Sequence, residues 1–294
     1  MATGLSEKQL NLARKFYYGK FYFTDSKLHF FMKLINKFLI YFFNFKTLLI
    51  NLKRILFRNL NISLKKKHYN KVEININIKD KDLDRYSNEL KKNKFVFIEN
   101  FIDNNTYQQV LENWPNINFY QKSSKIIKNY SIGFLLNQEN KSSDNFQNNF
   151  QKYIELKELY KFISSSQFSK IINKLLNFEN LNFYNYSILS SMVGNNSFLI
   201  PHIDGVINKK DSIVVYNFIY FVDGNDSNLA FSGATGIYQD NNFEKPLFLP
   251  TTLKNSLLIY KSTESFYHGF QFTKLPKKIY RKTINFQFLS KVEN

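Results

Sequence analysis

From Phe183 onward, short β-branched and aromatic runs alternate with turn signals such as Val193-Gly-Asn-Asn196, Asp223-Gly-Asn-Asp226 and Lys274-Leu-Pro-Lys277. That rhythm predicts antiparallel strands forming a β sandwich or barrel over about residues 180–290. The stretch before it is patterned differently. Residues 80–94 are polar and helix-like, Phe95-Val-Phe-Ile98 reads as a short buried strand, and a helix from Thr106 to Asn113 stops at Trp114-Pro115, where proline cannot continue it. Residues 138–150, rich in Asn, Gln and Ser, read as a loop, and two helices follow over about 152–164 and 167–177. The expected class is α+β, with helices flanking an antiparallel core.

The first 70 residues form a separate unit. Leu28 to Leu60 is dense in Phe, Leu and Ile, with Lys33, Lys37, Lys46, Lys53, Arg54 and Arg58 interspersed and no Pro or Gly, and it reads as one or two helices. Its most apolar window, Leu34 to Leu52, approaches the length that crosses a bilayer. Lys46 inside that window would cost about 2.5–3.5 kcal/mol on insertion. Two readings fit better: a helix lying in a membrane surface through residues 28–60, with aromatics buried and Lys reaching outward, or a helix pair packing on the body or on a second copy of the chain. Residues 1–70 are thus a basic, aromatic-rich helical segment closed by Lys65-Lys66-Lys67. The body, 71–294, begins near Val72.

Composition narrows the chemistry. An apolar share of 44% excludes a wholly disordered chain. With no Cys, disulfides, thiolate zinc sites, iron–sulfur clusters and cysteine nucleophiles are excluded, so a metal must rest on His, Asp, Glu or water. The net charge is +18, of which residues 1–70 supply +12 through 14 Lys and Arg against Glu7 and Asp25. A basic segment joined to a nearly ordinary body points to an interaction surface in that segment, and no specific nucleic acid is expected as a partner. Met1 to Lys20 lacks the apolar core and cleavage site of a signal peptide, which predicts a cytoplasmic protein, peripheral at the membrane under the first reading of residues 28–60.

The candidate chemistry lies in His202-Ile-Asp204 and in His268, 64 residues beyond Asp204. Residues two apart on a strand face one side, so His202 and Asp204 can aim at one metal ion, with His268 supplying a third ligand from another strand. Two imidazoles and a carboxylate with open positions suit a non-haem Fe(II) oxygenase. An isolated His-x-Asp arises often by chance. Here His202 and His268 are the only histidines of the body, since His29 and His68 belong to the basic segment.

The runs 265–272 and 279–289 predict a hairpin turning around Leu275-Pro276, with His268 opposite Thr283 and Arg281 two positions along, about 7 Å away. That offset matches a five-carbon dicarboxylate held by a metal at one end and by the two-pronged guanidinium and the Thr283 hydroxyl at the other. A lone strand Arg usually faces solvent. The alternation of Ile284, Phe286 and Phe288 with Arg281, Thr283, Asn285 and Gln287 instead predicts one apolar layer and one polar wall.

His202-x-Asp204, His268-Gly269 and Arg281-x-Thr283 together resemble the signature of the Fe(II)/2-oxoglutarate-dependent dioxygenase superfamily. The order of elements is similar to its prolyl-hydroxylase-like branch, through Lys94–Asp103 and its following helix, Tyr216–Asp223 with Ser232–Gly236, and Leu257–Tyr260. The resemblance spans roughly residues 90–290. It implies a double-stranded β-helix (jelly-roll) core, Fe(II) on His202, Asp204 and His268, 2-oxoglutarate anchored on Arg281 and Thr283, and ascorbate as reductant. The implied reaction hydroxylates a polar small molecule, saccharide or peptide and releases succinate and carbon dioxide. Asp204 favours hydroxylation, because related halogenases have a small residue there. The chain departs from the pattern in having Arg281 where many prolyl hydroxylases have Lys, and Met192 where several relatives place a tyrosine for the cosubstrate. Asn217, which shares a face with Ile219 and Phe221, is a candidate for that contact. Two alternatives use the same residues differently: a cupin-like metal enzyme without 2-oxoglutarate, which leaves Arg281 unexplained, and a non-catalytic module whose basic segment attaches to membrane or nucleic acid. Specificity loops are expected at 120–150, 205–212 and 224–245.

Overall fold

The computed structural model describes residues 74–115, 117, 121–122, 129–135, 157–203, 213–263 and 265–291, together with Leu49, Leu52 and Leu56. The basic segment of residues 1–70 with its membrane-surface and packing readings, Asp204, and the expected loops at 138–150 and 205–212 lie outside the described residues, those three leucines aside. Among the described residues no helix is long and apolar enough to cross a membrane.

Among the described residues the α-helices with defined bounds are α1 (Asp80–Asn93), α2 (Asn104–Glu112), α3 (Lys157–Ile163) and α4 (Ser166–Leu175). Their ends follow local chemistry. Asp103 accepts a hydrogen bond from the Thr106 backbone N–H and starts α2 two residues before the predicted Thr106, and the Ser165 hydroxyl does the same for Phe168 N–H at α4. Lys94, with a φ of 65°, closes α1 by donating its N–H to the Leu90 carbonyl, and the chain turns directly into β1 (Phe95–Glu99).

The remaining strands are β2 (Gln121–Lys122), β3 (Asn129–Leu135), β4 (Tyr184–Val193), β5 (Leu199–His202), β6 (Ile213–Asp223), β7 (Gly236–Tyr238), β8 (Pro246–Phe248), β9 (Ser256–Lys261), β10 (Tyr267–Phe270) and β11 (Arg281–Lys291). They form two antiparallel sheets, a larger one in the order β1-β9-β6-β11-β4-β3-β2 and a smaller one in the order β5-β10-β7-β8. From β4 onward the chain alternates between them: β4, β6, β9 and β11 join the larger sheet, and β5, β7 with β8, and β10 join the smaller.

This alternation corrects the predicted hairpin. β10 pairs with β5 and β7, whereas β11 pairs with β4 and β6, so His268 is not the ladder partner of Thr283. The connection between them is anchored elsewhere. Thr273 donates its backbone N–H to the Ser197 carbonyl and its hydroxyl to the Gly194 carbonyl, and Leu275 N–H reaches Asn195 Oδ1. These bonds carry the chain across from one sheet to the other. Residues 120–150 are likewise not all loop, because Asn129–Leu135 pairs along β4.

The period-2 pattern sorts the larger sheet into two faces. Tyr216, Phe218, Tyr220 and Val222 of β6, with Ile284, Phe286 and Phe288 of β11, join the main core beneath Leu83, Tyr107, Tyr160, Phe168 and Ile172 of the helices. Phe168 alone lies within 6.4 Å, ring centre to ring centre, of Phe101, Phe162, Phe286 and Phe288. Burying a side chain of this kind contributes about 1.5–3 kcal/mol. The opposite face of the same sheet looks toward the smaller one. There Ile219, Phe221, Leu258 and Tyr260 pack with Ala234, Ile237 and Leu253 in a second, smaller cluster.

Candidate active site

The two sheets enclose a cavity of about 420 Å³, lined from the larger sheet by Arg281, Asn285, Gln287, Asn217, Ser191 and Tyr260 among others, and from the smaller by Leu199, His268 and Phe270. His268 and Arg281 therefore share a site although they do not share a hairpin.

The histidines come together by strand pairing. His202 at the end of β5 is the ladder partner of His268 on β10, and their ring centres lie 4.3 Å apart. His202 Nδ1 sits 2.9 Å from the Ile200 carbonyl oxygen. A proton on Nδ1 donated to that oxygen leaves the lone pair on Nε2, the arrangement that suits a metal-binding imidazole. The following Gly269 is required by close approach: a Cβ there would lie 2.5 Å from the Leu199 carbonyl oxygen and 2.8 Å from Pro201 N. Absence of that carbon lets β10 lie close enough to β5 for the imidazoles to meet. Among the described residues no cluster of three His, Cys, Asp or Glu occurs, and the third predicted ligand, Asp204, is outside them.

Arg281 opens β11 and is 4% exposed. Its Nη1 donates to the Gly233 carbonyl and to Thr235 Oγ1 at 2.9 Å, and the guanidinium carbon lies 4.5 Å from the centre of the Phe270 ring. Gly233 adopts a φ of +83°, a left-handed turn that suits glycine. Arg281 Nε is buried without a hydrogen-bond partner, and among the described residues no carboxylate pairs with the group. Burial pulls its pKa down to about 9, which keeps it cationic at neutral pH. A buried, uncompensated guanidinium favours an anion. Phe270, whose ring the guanidinium covers, stands two residues beyond His268 on β10.

Thr283 is fully buried, and its hydroxyl is 2.6 Å from Ser191 Oγ on the neighbouring strand. Ser191 lines the cavity. In the register Ser191 lies opposite Thr283 on the inner face, whereas Met192 pairs with Lys282 and points the other way. Asn217 lines the cavity but stands opposite Gln287, six residues along β11 from Arg281, or about 20 Å of strand. It is not at the guanidinium end. Sequence reasoning missed Ser191, Thr235 and Phe270. Strand parity would have given Ser191, and the turn-forming Ser232–Gly236 run held Thr235 without indicating that it faces a cation 46 residues away.

No protein-family model matches the chain, and no curated protein does. Solved structures similar to it are of 2-oxoglutarate–Fe(II) oxygenases, including prolyl hydroxylases. One is a 2OG-Fe(II) oxygenase family oxidoreductase from Burkholderia pseudomallei, 8% identical over 76% of this chain and 97% of that one, with a TM-score of 0.47. A second is a prolyl hydroxylase from Trichoplax adhaerens in complex with a hypoxia inducible factor peptide, 14% identical over 74% and 94%, with a TM-score of 0.44. A third is a Pseudomonas putida prolyl-4-hydroxylase, 11% identical over 72% and 100%, with a TM-score of 0.42.

Proposed function

We propose that the chain is an Fe(II)- and 2-oxoglutarate-dependent dioxygenase, built on a double-stranded β-helix, that hydroxylates a polar organic substrate. One observation carries the reading: His268, paired with His202 across β10 and β5, shares a cavity with a buried guanidinium that no carboxylate among the described residues pairs. An imidazole pair and a buried cation beside one cavity are what a chelating 2-oxo acid needs. The alternation of β4 to β11 between two sheets supports the β-helix assignment.

His202, His268 and Asp204 hold the metal in this reading, Asp204 through its two-residue spacing from His202. The bound iron and 2-oxoglutarate supply the oxidising chemistry, consuming dioxygen and releasing succinate and carbon dioxide, with ascorbate as the reductant that keeps the iron ferrous. Arg281 binds the distal carboxylate, using the donor capacity that Gly233 and Thr235 leave over. Thr235, Ser191 and Thr283 hold that end in place. Phe270 covers the guanidinium and keeps water from competing for it. The apolar lining from Leu189, Leu199 and Ile219 lowers the local dielectric and strengthens the ion pair.

The test is direct. The purified full chain with Fe(II) should bind 2-oxoglutarate by calorimetry and form succinate, and His202→Ala should lower its metal content. No 2-oxoglutarate binding, no succinate and unchanged metal in His202→Ala would together overturn the reading. Metal retained with no 2-oxoglutarate binding would favour the cupin-like alternative.

A further inference from the structure

β11 has a ladder partner on both sides, yet Asn285 and Gln287 at its middle are only half-buried, because they face the cavity. Gln287 belongs to a polar row that crosses four strands. Ser187 and Asn217 are its ladder partners, and Tyr260 is the partner of Asn217 on the next strand. The Ser187 hydroxyl donates to Gln287 Oε1 at 2.9 Å, Gln287 Nε2 donates to Asn217 Oδ1 at 2.8 Å, and Asn217 Nδ2 donates to the Ser262 hydroxyl. Asn285, one step along β11, has a buried Oδ1 with no hydrogen-bond partner.

Resting on the reading above, we propose that Ser187, Asn217, Asn285 and Gln287 form a second subsite, which takes an uncharged hydroxyl- or amide-bearing group of the molecule to be oxidised. Each primary amide offers two N–H donors and a two-lone-pair acceptor, and the row uses only one donor of Gln287 and one of Asn217. What remains is both donating and accepting, the complement of an alcohol or an amide. Among the described lining residues the only Lys, Arg, Asp or Glu is Arg281, about 13 to 20 Å of strand away. A phosphate or ammonium at the row would be buried unpaired, and an apolar group would orphan the Asn285 amide; both are penalised. A site built to hydrogen-bond a substrate group rejects analogues that lack it. The row also borders the reacting centre, since the Tyr260 ring centre is 5.2 Å from that of His268. The anion and the neutral group thus flank the histidine pair from opposite ends of one cavity.

The test uses the full chain loaded with Zn(II), so that nothing turns over, and saturation-transfer NMR with matched probes. Glucose is set against glucose 6-phosphate and glucosamine, and N-acetylalaninamide against alanine. One or both neutral probes should receive saturation and the charged ones should not; which of the two binds tells whether the group is a polyol or an amide. Gln287→Met or Asn285→Leu should weaken the neutral probe about fivefold per hydrogen bond lost, with 2-oxoglutarate affinity unchanged. Neutral probes that give no signal, or that bind the variants as they bind the parent, overturn the subsite. Charged probes binding as well as neutral ones overturn it too. Should either variant fail to fold, Ser187→Ala removes a hydroxyl only, and the comparison of neutral with charged probes needs no variant. Loss of 2-oxoglutarate binding with retained neutral-probe binding would sink the oxygenase reading and leave the subsite standing.

Discussion

The two sheets differ in build more than in size. The larger is sealed on its outer face by four helices and carries strands of up to 11 residues, with aromatic rings of β6 and β11 stacked at 4.8 Å between Phe218 and Phe286. The smaller is made of strands of three or four residues, with Leu247 on its edge strand exposed. The histidine pair sits on the slight sheet and the guanidinium on the sturdy one. The site is assembled across the seam, so the larger sheet should set stability and the smaller should set the approach of the imidazoles.

Substitutions can break that division. Phe286→Ala, in the stacked core of the larger sheet, should cost about 3–5 kcal/mol in urea unfolding; a cost near 1 would mean that the helices do not seal that face. Arg281→Met removes the cation but fills its place, so 2-oxoglutarate affinity should fall about 100-fold by calorimetry while thermal stability holds or rises, because a buried group with an orphaned Nε is lost. Gly269→Ala forces a carbon against the Leu199 carbonyl and should cost about 1–3 kcal/mol, with metal content dropping further than Tm. Equal losses in Gly269→Ala and Phe286→Ala would erase the distinction between the sheets.

The pH dependence is gentler. Burial lowers the Arg281 pKa to about 9, so its positive charge is present below that value and is lost as the pH rises through it. Affinity for 2-oxoglutarate should weaken about tenfold between pH 8 and pH 10. A flat profile would mean that the guanidinium keeps its charge across that range. The smallest effect is expected for Lys282→Ala, which breaks a partly exposed pair with Asp223 at 2.8 Å and should change stability by less than about 1 kcal/mol.

Features carried by local pattern were legible in the sequence. The alternation on β11 separated Ile284, Phe286 and Phe288 from Arg281, Thr283, Asn285 and Gln287, and the structure puts the first three in the helix-covered core and Arg281, Asn285 and Gln287 on the cavity. The first strand and its flanking helices were readable for a similar reason, since α1 has its apolar residues at helical spacing and Pro115 marks where α2 must have ended. Sheet membership was not legible. Two runs separated by a proline-containing turn look like a hairpin, but the connection is tied by bonds from Thr273 and Leu275 to residues nearly 80 positions earlier, and the runs join different sheets. The surroundings of Arg281 were hidden in the same way, because Gly233 and Thr235 reach it through tertiary structure. The proximity of His268 and Arg281 was expected from the wrong pairing. It arises because facing sheets, like paired strands, bring side chains into one space.

The position of β11 constrains how the molecule is made. It is synthesised after β4 and β6, and it lies between them. A nascent chain lacking Arg281–Lys291 would present two long apolar strand edges separated by an open slot, a surface that invites mispairing or chaperone capture. The strand that brings the guanidinium is also the strand that closes the slot, so an immature chain would have neither a finished sheet nor an anion site.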